Sequence, residues 1–292
     1  GDGSEDGGDD SNTADAAVNI NSSLGAGAIN VCATSSTSLA AYIHANFNLI
    51  SSAGDITMSG VTNSTSKQGV YIYTGNITST TGNISLTGST NTGYSGFDYA
   101  RDTHSSANSI SSTTGNITIT GSSNGSATGF GVDLYGSVAS TTGNIVITGN
   151  GGSSYYGLYL YTNVTSTSGN ITLTSRGSGT YGLLSDATNI SSAGNISLFS
   201  EAKLRVNSNI YSYGAGNALI IKSNSSIHNA RTQTIQTNNG SLVLWSNANC
   251  STTAGRVQFD DEVITLNTAN GSTSQTSGGG NINIGGGTAT DA

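Results

Sequence analysis

Gly115-Asn116-Ile117-Thr118-Ile119-Thr120 decides how this chain folds, because the same six-residue phrase recurs along nearly its whole length. Close copies read GDITMS from Gly54, GNISLT from Gly82, GNIVIT from Gly143, GNITLT from Gly169 and GNISLF from Gly194. Looser copies read GAINVC from Gly27, GNALII from Gly216, GSLVLW from Gly240, GRVQFD from Gly255 and GNINIG from Gly280. The opening glycines from Gly27 to Gly240 are 27, 28, 33, 28, 26, 25, 22 and 24 residues apart, so a fixed strand is joined by turns of variable length. Each unit holds two further apolar bursts. One reads GVYIY from Gly69, GFDYA from Gly96, GVDLY from Gly131, GLYLY from Gly157 and GLLSD from Gly182. The other is a single apolar step before a Ser/Thr pair, at Ile77, Ile110, Val138, Val164, Ile190 and Ile210.

Three short strands separated by Gly, Ser, Thr and Asn turns make one coil of a three-sided solenoid. The expected fold is all-β, a single-stranded parallel β-helix (β-solenoid) of about 10–11 coils of ~25–28 residues, right-handed by default and roughly 50 Å long at ~4.8 Å per coil. Alternation assigns the faces. Ile117 and Ile119 turn inward while Asn116, Thr118 and Thr120 turn out, and Leu158 and Leu160 turn inward while Tyr159 and Tyr161 turn out. One coil buries only five or six apolar side chains, so stability must come from coil-to-coil stacking. The chain has no proline, as expected where every backbone N–H is needed by a neighbouring coil. Gly before the strand suits a sharp corner with positive φ, and Asn after it suits bonding to its own turn or to the next coil.

Low charge (8%) and abundant Gly, Ser, Thr and Asn would suit disorder, yet 34% of residues are apolar and they fall in alternating bursts, which disorder does not require. Six of the sixteen acids, Asp2, Glu5, Asp6, Asp9, Asp10 and Asp15, lie in the first fifteen residues. Residues 1–15 are therefore expected to be an acidic flexible segment and residues 16–292 the solenoid domain. The body carries ten acids against eight bases, with no basic stripe for a phosphate backbone, so no nucleic-acid partner is expected. No run approaches the ~20 apolar residues of a membrane-spanning helix. The chain opens GDGSEDGG, without initiator Met or signal peptide, as a processed chain or a piece of a larger one does.

The GN(I/V)x(I/L)T unit resembles the repeat region of bacterial filamentous-haemagglutinin-like and autotransporter-passenger adhesins. The stretch from Thr237 onward, TNNGSLVLWSNAN and then GGGNINIGGG, is similar to the rungs of giant secreted β-strand-repeat proteins of gliding marine bacteria. The resemblance covers nearly all of the chain from residue 16 and implies a secreted, elongated, adhesive surface protein. The chain departs from it in lacking an Asn-Pro secretion-domain signature. It ends shortly after a rung motif without a polar cap, and an uncapped sheet edge invites pairing with another chain.

Several residue groups are candidates for function. Aligned second bursts put Tyr71, Asp98, Asp133 and Tyr159 in one outer column and Tyr73, Tyr135 and Tyr161 in the next. Tyrosine offers a flat apolar face and a hydroxyl, which suits sugar rings, although the same rings also stabilise neighbouring coils as a ladder. Asp98 and Asp133, with Asp102 and His104 nearby, are the one acid–base constellation on the body, and paired carboxylates of this kind serve glycoside hydrolysis. Rows of Thr and Ser on the Gly-Asn strand resemble the water-ordering faces of ice-binding proteins, but Val146 and Phe199 interrupt them. The acidic N-terminal segment and Asp260-Asp261-Glu262 are possible calcium ligands without calcium-roll or EF-hand spacing; no other cofactor and no metal site is expected. Cys32 and Cys250 lie some eight coils apart, about 40 Å by the coil rise, which is too far for a disulfide within one straight rod.

Together these features give a non-enzymatic extracellular solenoid, a segment of an adhesin acting at a cell surface or in a biofilm. Its partners are expected to be surface glycans or other cell-surface components, met by Tyr71, Tyr73, Asp98, Asp133, Tyr135, Tyr159 and Tyr161. The alternatives are a filament subunit that associates head to tail through its terminal rungs and, further off, a polysaccharide-active β-helix enzyme.

Overall fold

Strands whose apolar residues alternate with polar ones need a second apolar surface, and here each coil finds it in the two other strands of its own turn. The computed structural model describes residues 19–22, 27–36, 40–43, 47–91, 93–100, 108–124, 129–152, 156–177, 179, 181–186, 189–249, 255–260, 263–269 and 279–286. They form three sheets of ten, ten and nine strands, in which each strand is bonded to the strands three places before and after it in sequence. The pairing is parallel, as in Ile117–Ser123 between Ile84–Thr90 and Ile145–Asn150. The first sheet runs from Asn19–Ser22 to Ile264–Asn267, the second from Ile29–Ser35 to Ile282–Gly286 and the third from Ala41–Ile43 to Val257–Phe259. This is the β-solenoid expected from the repeat, three strands to the coil. The segment 1–15 lies outside the described residues.

One motif lies on a different face from the one its sequence suggests. The GRVQFD phrase at Gly255 reads as another Gly-Asn strand, but Val257–Phe259 joins the third sheet beside Ile227–Asn229. The second-sheet neighbour of Leu242–Ser246 is Ile282–Gly286, so a single coil spans the 40 residues from Gly240 to Gly280 (280 − 240). An apolar-polar-apolar triplet carries no label for its face. The Gly-Asn corner does, and Arg256 stands where that asparagine would be.

The interior consists of unbroken columns. On the second sheet Met58, Leu86, Ile119, Ile147, Leu173, Leu198, Ile221 and Leu244 stack in register, all fully buried. Ile77, Ile110, Val138, Val164, Ile190 and Ile210 do the same on the first sheet. The third contributes Val70, Phe97, Val132, Leu158, Leu183, Leu204 and Ile227. Each fully buried side chain of this size is worth about 1.5–3 kcal/mol relative to exposure.

The Gly-Asn corner has two separate physical causes. The asparagine side chains form a ladder: the Oδ1 atoms of Asp55, Asn83, Asn116, Asn144, Asn170 and Asn195 accept the backbone N–H of the equivalent residue one coil on, at 2.7 to 2.9 Å. The glycine is required by close approach. A Cβ on Gly115 would stand 2.0 Å from the carbonyl oxygen of Gly82, and the same contact recurs at Gly54, Gly82, Gly143 and Gly169. Positive φ, the reason suggested by sequence, applies to none of these corner glycines: Gly216 (φ 77°) lies one residue before its corner, where the register puts Asn217 opposite Gly194. Buried hydroxyls close the seam from the other side: Ser51 donates to the Gly54 carbonyl (2.6 Å), Ser212 to that of Gly194 (3.0 Å) and Thr237 to that of Gly240 (2.6 Å).

Candidate functional site

The third sheet builds the column expected from sequence. Tyr71 pairs in register with Asp98, Asp98 with Asp133, and Asp133 with Tyr159. The rungs are ~4.8 Å apart, so the two acids occupy consecutive steps of one row. Their environment differs from the expectation. Asp98 and Asp133 are fully buried and Tyr71 is 7% exposed, because Ser95–Tyr99 and Phe130–Leu134 are buried on both sides. Alternation names the side of the sheet a residue takes, but not what lies over that side. The acid pair of the enzymatic alternative is therefore enclosed, and Asp102 and His104 lie outside the described residues.

The second column is broken at one place. Ala100, fully buried with φ 58°, occupies the rung between Tyr73 and Tyr135. Tyr73 packs edge-on against Tyr71, ring centroids 6.4 Å apart. Tyr135, Tyr159 and Tyr161 instead belong to a continuous strip. Its rings run Tyr161–Tyr135 (5.4 Å), Tyr135–Tyr159 (5.8 Å), Tyr159–Tyr156 (5.6 Å) and Tyr156–Tyr181 (6.0 Å). Phe130, nearly buried, stacks against Tyr156 at 5.7 Å and supports the strip from behind. Tyr161 is 46% exposed, and Tyr135, Tyr156, Tyr159 and Tyr181 are half-buried.

Phe130, Tyr156 and Tyr181 were missed as site residues. A signal was present, since each directly precedes the glycine that opens a third-sheet strand (Phe130-Gly131, Tyr156-Gly157, Tyr181-Gly182). These positions stack because the glycines behind them do, as the bond from Gly131 N–H to the Tyr156 carbonyl shows.

Charge surrounds the strip unevenly. Burial, then the Asp186 carboxylate, push the Tyr159 hydroxyl above the usual tyrosine range; Asp133 acts the same way and a hydrogen bond with Tyr135 opposes them. Asp186 is itself bound by Arg231 at 3.1 Å. At the far end Lys203 Nζ lies 5.5 Å and the Arg205 guanidinium 5.9 Å from the ring centre of Tyr181. Beneath the acids, Tyr99 is buried and donates its hydroxyl to the Gly75 carbonyl at 2.7 Å; burial raises its pKa far above the ordinary value.

Compared with protein-family models, curated proteins and solved structures, the chain matches none.

The remaining candidates fall elsewhere. On the second sheet Thr57, Ser85, Thr118, Val146, Thr172 and Ser197 hold register as one outer row, which continues into Ile220 and Val243. The hydroxyl lattice thus gives way to an apolar one. Asp260 is held below the usual carboxylate range first by a hydrogen bond from Gln258 (2.9 Å), then by His228, whose Nε2 lies 2.7 Å away. The other two acids of that calcium candidate, and those of the N-terminal segment, lie outside the described residues. Cys32 is exposed and free, while Cys250 lies outside the described residues. Among the described residues no helix is long and apolar enough to cross a membrane.

Proposed function

We propose that this chain is a segment of an extracellular cell-surface adhesin: a stiff solenoid that presents the tyrosine strip of its third sheet to glycans. The observation that carries the reading is the run of five tyrosines from Tyr161 to Tyr181, with neighbouring ring centres 5.4 to 6.0 Å apart. Contiguous, partly exposed rings give successive sugars a flat apolar surface, and the phenolic oxygens give their hydroxyls partners. The resemblance of the Gly-Asn repeat to filamentous-haemagglutinin-like and autotransporter-passenger adhesins supports the same conclusion. Because Asp98, Asp133 and Tyr71 are covered, the contact surface falls to Tyr135, Tyr159 and Tyr161, with Tyr156 and Tyr181.

Affinity electrophoresis in gels cast with polysaccharide tests this directly. The wild-type chain is expected to be retarded by at least one glycan, and the Tyr135→Ser/Tyr159→Ser/Tyr161→Ser variant to migrate as in an empty gel while keeping its β-sheet circular dichroism. Equal retardation of the two proteins would remove the strip from the account.

A second reading is favoured by the last second-sheet strand. Ile282 and Ile284 continue the interior columns of Leu242 and Leu244, yet are 43% and 48% exposed where those leucines are fully buried. An interior surface left open at a rung end can take a further coil, including the first coil of another copy. In that case purified chain forms rods that lengthen with concentration in electron micrographs, and Ile284→Lys keeps them short; rods of one length at every concentration count against it.

A further inference from the structure

We infer that the polymer bound along the tyrosine strip is an acidic polysaccharide, whose carboxylates meet Lys203 and Arg205 at the Tyr181 end; this rests on the strip being a glycan-binding surface. Two cations converge on one ring, at 5.5 and 5.9 Å from its centre. Neither forms an ion pair among the described residues. The acids in their neighbourhood are engaged elsewhere. Asp186 holds Arg231 at 3.1 Å, Glu201 accepts the Gly177 N–H at 3.3 Å, and Asp260 is bound by Gln258 and His228. Asp260 still feels Arg205 through space.

In a chain with eight basic residues in all, two that share one ring and form no ion pair among the described residues stand out. Like charges held side by side repel, and an anionic ligand offsets that repulsion at the place where it binds. The stacked ring adds to the attraction of each cation for its position without neutralising it. Arg205 is also placed to act together with the strip. Register carries the outer row from Tyr159 through Leu184 to Arg205, two rungs and so ~10 Å further along the rod. A glycan lying along the rod and stacked on Tyr135 and Tyr159 therefore brings its next sugars to Tyr181, Lys203 and Arg205. The guanidinium can hold a carboxylate with two parallel N–H bonds and the ammonium acts as a point charge beside it. A neutral polymer makes no use of either.

The test is isothermal titration and affinity electrophoresis with three probes: alginate, in which every sugar carries a carboxylate; neutral dextran; and dextran sulfate. Wild-type chain is expected to bind alginate and not dextran, with affinity that falls as salt rises. Lys203→Gln/Arg205→Gln is expected to weaken alginate at least about tenfold, the loss of charge-assisted contacts. Retention of the wild-type melting temperature confirms that this variant folds. Should it fail to fold, the salt dependence of the wild-type chain decides, since binding unchanged at high salt contradicts the inference. Binding of dextran as tight as alginate overturns the inference while leaving the strip a glycan site. Binding of dextran sulfate and alginate that ignores Tyr135→Ser/Tyr159→Ser/Tyr161→Ser reduces the effect to bulk charge and overturns both. No binding to any probe also counts against both.

Discussion

Gly115→Ala is expected to destabilise the chain by about 3 kcal/mol, a large effect for the addition of one methyl group. The new Cβ would sit 2.0 Å from the carbonyl oxygen of Gly82 and 2.5 Å from its carbon. Both are backbone atoms of the previous rung, so relief requires the two coils to part locally. Parting them weakens the ladder bond from Asn116 N–H to Asn83 Oδ1 and the sheet bond from Ile84 N–H to the Asn116 carbonyl, both 2.9 Å. Gly216→Ala, one residue before the corner that Asn217 occupies, serves as the comparison for backbone strain alone. Gly216 has positive φ but no atom within 4 Å of its hypothetical Cβ, so only backbone strain opposes substitution, about 1 kcal/mol. Urea unfolding of the two variants separates the causes. A loss at Gly115 no larger than that at Gly216 would contradict close approach as the reason for the corner glycine.

Ile119→Ala is expected to cost about 3 kcal/mol through lost burial and the cavity left behind. Ile284→Ala, in the same interior column, is expected to cost under about 1 kcal/mol, since a residue 48% exposed has little burial to lose. The column links them through Ile147, Leu173, Leu198, Ile221 and Leu244. A solenoid's stability is approximately a sum over coils and their interfaces, so Ile119→Ala weakens two interfaces in the middle of the rod and broadens the unfolding transition. Equal costs at the two positions would mean that the last rung is as enclosed as the centre.

Much of this was legible in the sequence, for reasons specific to this fold. Parallel in-register stacking copies each position onto its equivalent one coil away, so aligning GVYIY, GFDYA, GVDLY and GLYLY amounts to predicting contacts; the row Tyr71–Asp98–Asp133–Tyr159 follows from it. What covers an outer face is not written in alternation. The burial of Asp98 and Asp133 was therefore invisible, as was the three-dimensional reason for the corner glycine. The Gly255 phrase misled because any alternating triplet fits any face. Leu204–Val206 and Ile227–Asn229 are not legible as third-sheet strands because Lys203 and Ser226 stand where the coils from Gly69 to Gly182 have glycine. The same substitution brings Lys203 to the ring of Tyr181, so the cationic end of the strip lay hidden behind a broken motif.

The glycan-binding strip is tested most directly by nuclear magnetic resonance of the full chain with isotope-labelled tyrosine rings, titrated with the polysaccharide that retards it. The thirteen tyrosines include an internal control, because Tyr211 and Tyr213 stack 5.7 Å apart on the first sheet, away from the strip. Ring signals of Tyr135, Tyr159, Tyr161, Tyr156 and Tyr181 are expected to shift together on binding while those of Tyr211 and Tyr213 stay in place. Shifts confined to Tyr211 and Tyr213, or none at saturating glycan, would contradict a glycan-binding strip.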